Sequence, residues 1–222
     1  VFGVVSLGVY GIMIGAWASN NKFSLMGGLR AASQIISYEL AMGIALIALL
    51  MTTGTLSLGE MVKQQQEGWW NGFKQPLGFL IFLICAFAEC NRTPFDLAEA
   101  ENELIGGYHS EYSSMKLGFY LFAEYINMFI SSAIMATLYF GGYDIIPFYD
   151  ESAWGFSVNT MAALGGLALF AKILFFIFFF MWVRWTIPRF RYDQLMNLGW
   201  KSLIPLSLFN MLVTAVVILL KK

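Results

Sequence analysis

Long apolar stretches alternate with short polar ones along the whole chain. A helix that crosses a bilayer needs about 20 mostly apolar residues. Six segments meet or approach that length, which predicts an all-α, polytopic bundle of six transmembrane helices. They are residues 1–18, 31–53, 76–93, 117–140, 159–185 and 202–220. Because no stretch between them is long enough for a soluble domain, residues 1–222 are predicted to form a single membrane domain.

The polar connections between these segments differ in charge. The third, residues 94–116, is acidic, and the fifth, residues 184–201, is basic. The others are residues 19–30, 54–75 and 141–158. The first apolar segment begins with Val rather than Met, so we expect the chain to be part of a longer polypeptide with further spans upstream.

Composition agrees with a membrane location. Hydrophobic residues make up 59% of the chain and charged residues 12%, whereas soluble domains carry about 25% charged residues. The two cysteines, Cys85 and Cys90, have neither the spacing of a metal site nor that of a disulfide framework. No basic tract points to a nucleic acid partner.

Lysine and arginine are distributed unevenly between the two faces of the predicted bundle. Membrane proteins carry an excess of these residues in their cytoplasmic loops. Loops one, three and five, with the span ends beside them, hold Lys22, Arg30, Arg92, Lys116, Arg184, Arg189, Arg191 and Lys201. The other face holds Lys63, Lys74, Lys221 and Lys222. Loops one, three and five, including the acidic loop, are therefore predicted to face the cytoplasm.

Three glutamates fall within or at the edge of predicted spans: Glu39, Glu89 and Glu124. An ionisable side chain inside a bilayer is costly and is a candidate for function. Burial disfavours the charged form of a carboxyl group, so such a group can take up and release a proton. The alternative is a structural carboxylate paired near a helix end. Because three occur, all nearest the cytoplasmic half, we favour a shared polar path.

Lys172 lies in the middle of the fifth predicted span. We expect it to pair with a glutamate on a neighbouring span. Such a pair is either structural or part of a proton relay, and the sequence does not separate the two.

The acidic loop opens with the motif Glu-Cys-Asn-Arg-Thr-Pro-Phe-Asp, which runs from Glu89 to Asp96. Thr93 followed by Pro is typical of a helix start, with Asp96 as the capping-box acid. We therefore predict a short amphipathic helix from 94 to about 105, ended by two glycines. Its acids divide between two faces, with Asp96, Glu99 and Glu103 on one and Glu101 on the other. The alternative is a solvated acidic surface helix.

The basic loop supplies arginines for these acids. Arginine binds carboxylates through two parallel hydrogen bonds, and the predicted topology puts Arg189 and Arg191 on the side of the acidic loop. The alternative is anchoring at the membrane surface. His109, the single histidine, has no neighbours with convincing metal-ligand spacing. The sequence has no phosphate-binding glycine loop, no nucleophile elbow and no CxxC pair, so we predict neither a metal site nor catalytic machinery of its own.

The residues from Glu89 to Leu104 closely resemble the acidic motif of the membrane-arm subunit of respiratory complex I that is designated by the letter H in bacteria. Three further blocks agree, in the family's order: 28–39, 122–125 and 184–196, the last with Trp200 and Lys201. The departures are Ala98, where the family usually has Pro, and Cys90, which is often Thr. Neither changes a carboxylate. The blocks extend over nearly the whole chain, so it is identified as a member of this family.

This resemblance implies a membrane subunit in the bacterial cytoplasmic membrane that continues upstream by about two spans. It implies that the subunit joins the membrane arm to the hydrophilic arm of a proton-translocating NADH-quinone oxidoreductase. The subunit would form part of the quinone chamber and the start of the proton path. Quinone is then the substrate, while FMN and the iron-sulfur clusters are expected in partner subunits and no cofactor is expected on this chain.

The resemblance also implies roles for single residues. The proton path contains Glu39, Glu89 and Glu124, to which we add Lys172. The acidic loop beside the quinone chamber contains Asp96, Glu99, Glu101, Glu103 and Glu111. The counter-ions, or contacts to the hydrophilic arm, are Arg30, Arg92, Arg189 and Arg191.

The functional hypothesis is electrostatic coupling. Quinone reduction changes the protonation of the loop acids, and coupled carboxyl groups transmit that change to the spans. The nearest alternative is the homologous membrane anchor of an energy-converting nickel-iron hydrogenase or ferredoxin-type complex. A stand-alone ion transporter is a different class, which predicts inverted repeats or broken helices, and we find neither in the sequence. The intramembrane acids speak against a purely structural anchor.

Overall fold

The computed structural model describes residues 2–97, 106–145 and 157–221, and the ordered elements within these ranges are helical. In chain order they are α1 (Phe2–Val5), α2 (Gly8–Ala18), α3 (Lys22–Thr53), α4 (Leu58–Gln66), α5 (Asn71–Lys74), α6 (Pro76–Glu89), a 3-10 turn (Gly107–His109), α7 (Ser114–Tyr139), α8 (Val158–Thr186), α9 (Tyr192–Asn197), a π-helical turn (Leu198–Leu203) and α10 (Ile204–Lys221). The prediction of an all-α protein is confirmed for the described ranges.

Four helical segments are long and apolar enough to cross a bilayer: Lys22–Thr53, Ser114–Tyr139, Asn159–Thr186 and Tyr192–Leu220. The other two predicted spans form shorter apolar helices, Phe2–Ala18 and Pro76–Glu89. The second of these has 14 residues, about 21 Å at 1.5 Å per residue, which is less than the hydrocarbon core of about 30 Å. The prediction of six spans is therefore supported for four segments.

The long helix α3 begins earlier than hydrophobicity predicts. Asn21 Oδ1 accepts a hydrogen bond from Phe23 N at 3.0 Å, which satisfies a free N–H group of the first turn. At the other end Gly54 has a φ of 69°, a left-handed conformation that glycine adopts without strain. The predicted loop over 19–30 is therefore wrong, because helix resumes at Lys22.

The predicted basic loop is also shorter than expected. α8 continues to Thr186, α9 begins at Tyr192, and the π-helical turn joins α9 directly to α10. Pro188 lies in the connection that remains, and proline lacks the N–H group that would continue a helix. The loop predicted over 184–201 is reduced to residues 187–191, which still include both arginines of interest.

The predicted amphipathic helix does not begin at Pro94. Residues 94–97 are non-helical, and Phe95 N donates to Arg92 O at 2.8 Å. Pro94 O accepts a hydrogen bond from Phe190 N at 3.2 Å, which ties this segment to the basic loop. The rest of the predicted helix, residues 98–105, lies outside the described residues.

Aromatic side chains fill the core between α3, α6, α7 and α8. Phe82 and Tyr139 are fully buried with ring centroids 5.5 Å apart, and the Phe87 and Phe180 centroids are 4.3 Å apart. Because α3 packs along α2, α6 and α10, it is the central helix of the bundle. Large apolar side chains on the outer faces of α8 and α10 stay exposed, which is expected of surfaces that meet lipid or neighbouring subunits.

Candidate functional site: a cavity lined by three glutamates

A cavity of about 240 Å³ lies between the α1–α2 segment and helices α3, α6 and α7. Its lining includes Glu39, Glu89 and Glu124, the three glutamates that were predicted to lie within or at the edge of spans. They come from three different helices, so it is the packing of the bundle that brings them together. Further polar groups in the lining come from Asn91, Tyr108, Tyr120 and Asn127.

The carboxyl groups lie inside the bundle. Glu89 and Glu124 are 8% and 6% exposed. Glu124 is about 15 Å along α7 from its first residue, at 1.5 Å per residue. Glu39 is half-buried, and its Oε1 is buried without a hydrogen-bond partner among the described residues. An unpaired buried oxygen is costly, so Glu39 has capacity for a further hydrogen bond, for example from a water molecule in the cavity.

The guanidinium group of Arg92 forms an ion pair with the carboxylate of Glu124. Arg92 Nη2 is 3.4 Å from Glu124 Oε2, and both side chains are 7% exposed. The guanidinium also lies over the ring of Tyr125, 4.5 Å from its centroid, a favourable cation–π geometry. On the other carboxylate oxygen, Tyr108 Oη donates to Oε1 at 3.3 Å. The carboxylate of Glu124 therefore has a direct cationic partner and a hydroxyl donor, as a buried charge requires.

The turn that follows α6 is held by a residue that the sequence analysis missed. Gln34 of α3 is fully buried, and its Nε2 donates to Ala88 O at 3.0 Å and to Phe95 O at 2.8 Å. These carbonyls flank the segment that carries Glu89 and Arg92, so one carboxamide fixes both of its ends. Gln34 is a polar residue inside an apolar span, so a search for all polar side chains in the spans, rather than ionisable ones alone, could have found it.

The acidic motif meets the basic loop at Asp96 and Arg189. Arg189 Nη2 is 2.8 Å from Asp96 Oδ2, with the side chains 38% and 9% exposed respectively. Beside them the rings of Phe95 and Phe190 have centroids 5.7 Å apart. The structure thus brings a predicted acid together with a predicted arginine from a distant part of the chain.

The other predicted site residues are spread more widely. Glu111 Oε1 accepts a hydrogen bond from Asn21 Nδ2 at 2.7 Å on the surface. Arg30 is half-buried in α3, and Arg191 is exposed at the start of α9. The remaining loop acids, Glu99, Glu101 and Glu103, lie outside the described residues.

The contacts of loops one, three and five show that they meet at one end of the bundle. Asn21 of the first loop contacts Glu111 of the third, and Asp96 of the third contacts Arg189 of the fifth. This agrees with the predicted topology, which puts the three loops on one side. That this side is the cytoplasmic one stays a prediction.

Lys172 contacts main-chain carbonyls near the opposite end of α7. Its Nζ donates to Phe140 O at 2.7 Å and to Gly142 O at 3.1 Å, and also to Asp144 O. The ammonium lies 4.4 Å from the centroid of the Trp70 ring. These contacts satisfy carbonyls at and beyond the C-terminal end of α7, where an α-helix leaves carbonyls unpaired. We expected a glutamate partner, and a part for Lys172 in a proton path stays a prediction.

Metal-ligating side chains do not cluster in the described part of the chain. No group of three or more His, Cys, Asp or Glu side chains there is placed to hold a metal ion. His109 packs edge-on against Tyr108, with ring centroids 5.1 Å apart. Cys85 and Cys90 are buried free thiols.

Comparison with known proteins reveals the family. A sequence model described as NADH dehydrogenase matches residues 1–215. The chain belongs to the NADH dehydrogenase family. The matched range contains every residue that lines the glutamate cavity, so the cavity lies within the part of the chain that this NADH dehydrogenase family model matches.

Curated relatives of this NADH dehydrogenase family chain are named as subunits of NADH-quinone oxidoreductase. The subunit designated H 1 in Cytophaga hutchinsonii is 68% identical over 220 residues, covering 99% of this chain and 64% of the relative. The subunit designated H in Flavobacterium psychrophilum is 69% identical over 225 residues, covering 100% and 64%. NADH-quinone oxidoreductase subunit 8 of Rhodothermus marinus is 49% identical over 223 residues, covering 97% and 65%. The chain therefore spans a little less than two thirds of the length of these relatives.

Proposed function

We propose that this chain works as part of the H-type membrane subunit of a proton-translocating NADH-quinone oxidoreductase in a bacterial cytoplasmic membrane. The names of its relatives support this assignment. The observation that carries the mechanism is the single cavity shared by Glu39, Glu89 and Glu124. In this proposal the three carboxyl groups bind and release protons when quinone is reduced nearby.

Three carboxyl groups around one small cavity behave as a coupled set. When ionisable groups interact strongly, protons bind to the set rather than to one residue. Like charges in a low-dielectric interior repel strongly, so a charge that appears on one member changes the proton occupancy of the others. A change at Glu89 can therefore reach Glu124 and Glu39 without a large movement of the chain.

Arg92 connects this set to the acidic loop. Its guanidinium is paired with Glu124, and it lies in the same turn as Glu89. Asp96, further along that segment, is paired with Arg189. We assign the quinone chamber to this side of the cavity, with Asp96, Glu99, Glu101, Glu103 and Glu111 around it. Contacts to the hydrophilic arm, or counter-ions of these acids, are assigned to Arg30, Arg92, Arg189 and Arg191.

The partners in this proposal are the other membrane-arm subunits and the quinone-site subunits of the hydrophilic arm. FMN and the iron-sulfur clusters belong to those partners, and quinone is the shared substrate. Affinity purification of the full-length subunit from its native membrane tests the assignment. Recovery of a flavin-containing, NADH-oxidising module supports it, whereas recovery of a nickel-iron subunit would favour the hydrogenase-type alternative.

Replacement of the cavity glutamates by glutamine tests the mechanism, because glutamine keeps the size of the side chain but cannot release a proton. Each of Glu39→Gln, Glu89→Gln and Glu124→Gln is introduced into the assembled complex in proteoliposomes. We expect NADH-driven proton pumping to fall by about 100-fold or more, since a positioned proton-transfer group contributes ~10²–10⁴-fold. Glu60→Gln is the matched control, because Glu60 is exposed on α4. Wild-type pumping in all three cavity variants would contradict the mechanism.

A further inference from the structure

A second pocket opens beside the glutamate cavity. It has a volume of about 610 Å³ and lies between the end of α2 and the start of α7. Its lining is largely polar and exposed, and comes from Ala18, Ser19, Glu111, Tyr112, Ser113, Ser114, Met115 and Lys116. This pocket is therefore in contact with the solution at the end of the bundle where loops one and three meet.

Two tyrosines stand between this pocket and the glutamate cavity. Tyr120 lines the cavity, Tyr112 lines the second pocket, and their ring centroids are 5.0 Å apart. Both hydroxyl groups lie beside the same residue of α2, Gly15, and Tyr112 Oη donates to Gly15 O at 2.9 Å. A hydroxyl from each of the two spaces thus converges on the same point of α2.

Gly15 of α2 makes room for this pair. A Cβ atom on Gly15 would lie 2.1 Å from Tyr120 Oη and 3.3 Å from Tyr112 Oη. The first distance is far below van der Waals contact, so any side chain here would displace the Tyr120 hydroxyl. The two hydroxyls can therefore lie this close together beside α2 only if residue 15 is glycine. This requirement is separate from the packing of the aromatic rings.

On the cavity side, the hydroxyl of a third tyrosine, Tyr108, contacts Glu124. Tyr108 packs against Tyr120 with ring centroids 5.5 Å apart, and its hydroxyl donates to Glu124 Oε1 at 3.3 Å. Tyr108 and Tyr120 line the same cavity, which at about 240 Å³ is large enough for several water molecules. A tyrosine hydroxyl both donates and accepts a hydrogen bond, so each of these groups can receive one proton as it passes another on.

We infer that the Tyr120–Tyr112 hydroxyl pair over Gly15 is a proton access route that connects the glutamate cavity to the solvent-exposed pocket beside Glu111. A proton enters from the pocket at Tyr112, passes to Tyr120 and then, through cavity water or Tyr108, to Glu124. Each hydroxyl gives up one proton for each that it receives, so no group on the route changes its net charge. This inference rests on the proposed function of the cavity, because it supplies the protons that the glutamates bind.

The assembled complex in proteoliposomes tests the route through three variants, Tyr120→Phe, Tyr112→Phe and the double variant. Phenylalanine keeps the ring and removes the hydroxyl. We expect each single variant to lower the rate of NADH-driven proton pumping by about 100-fold, the lower end of the range for loss of one proton-transfer group. Because the two hydroxyls act in series, the double variant should be no slower than either single one. Tyr10→Phe is the control, since Tyr10 of α2 is 62% exposed.

Gly15→Ala provides a second, independent test. It keeps both hydroxyls and displaces one of them, so the route predicts the same loss of pumping as Tyr120→Phe. The route would be overturned if the loss of pumping in the tyrosine double variant equalled the product of the two single losses and the heat stability of the complex also fell. That result would assign these residues to packing. Wild-type pumping in both tyrosine variants, with Glu124→Gln impaired, would also overturn the route while leaving the proposed function intact. Wild-type pumping in Glu124→Gln and the other cavity variants would instead remove the proposed function itself.

Discussion

The guanidinium of Arg92 and the carboxylate of Glu124 form a buried ion pair, with Nη2 and Oε2 3.4 Å apart. Arg92 belongs to the turn after α6 and Glu124 to the middle of α7, so the pair joins two elements as well as two charges. A buried pair gains little net stability over apolar packing, but loss of one partner leaves an uncompensated charge. This asymmetry makes the two residues depend on each other.

Arg92→Met should destabilise the subunit, because it removes the guanidinium that pairs with the buried carboxylate of Glu124. Loss of one partner of a buried pair costs about 3–5 kcal/mol. Adding Glu124→Gln to Arg92→Met should recover part of this loss, since the buried charge is removed with its partner. The measurement is the temperature at which the purified complex loses this subunit. A double variant as unstable as the sum of the single variants would mean that the two side chains are not coupled.

Gln34→Leu should loosen the turn that carries Glu89 and Arg92. The carbonyls of Ala88 and Phe95 would lose the hydrogen bonds that Gln34 Nε2 donates, and an unpaired buried polar group costs about 1–3 kcal/mol. Pumping and heat stability are both expected to fall. The control is Gln66→Leu, at a half-buried position on α4. Unchanged pumping in Gln34→Leu would mean that this carboxamide is not needed to hold the turn.

The three cavity glutamates could be predicted because an ionisable residue within an apolar run can be recognised from the sequence alone. A carboxyl group within an apolar run is expensive in any fold, so Glu39, Glu89 and Glu124 could be identified without knowing how the helices pack. That they share one cavity depends on which faces of α3, α6 and α7 meet. Hydrophobicity does not contain that information, because all sides of these helices are largely apolar.

The errors in the predicted elements have two sources: a local cap that hydrophobicity does not reveal, and long-range contacts that override a local signal. The α3 helix extends back to Lys22 because Asn21 caps it, although the residues that follow are not a strongly apolar run. The pattern of Thr93 and Pro94 resembles a helix start, but the main chain there hydrogen-bonds to Phe190, far along the sequence. Contacts over such separations, like those of Gln34, are set by tertiary packing and cannot be deduced from neighbouring residues.

Removal of the ion pair between Asp96 and Arg189 should destabilise the subunit less than loss of the Arg92–Glu124 pair. This effect should also depend on the salt concentration. Arg189 is 38% exposed, and pairs open to solvent contribute about 0–1 kcal/mol. In a double-mutant cycle with Asp96→Asn and Arg189→Gln, we expect a coupling energy in that range. It should shrink as salt rises to 1 M, where the Debye length is about 3 Å. If the coupling energy does not change with salt, the pair is buried away from solvent, for example by a partner subunit.

Lys172→Met distinguishes a structural lysine from a proton relay. The Lys172 ammonium donates to the carbonyls of Phe140 and Gly142, so its loss leaves these carbonyls without that donor at the end of α7. Hydrogen bonds from a charged donor contribute about 1.5–3 kcal/mol, and we expect heat stability of the complex to fall accordingly. In the fraction that stays assembled, the number of protons pumped per quinone reduced should equal that of the wild type. Lys63→Met is the control, since Lys63 is exposed on α4. Normal heat stability combined with fewer protons per quinone would instead assign Lys172 to the proton path, as its position within a span first suggested.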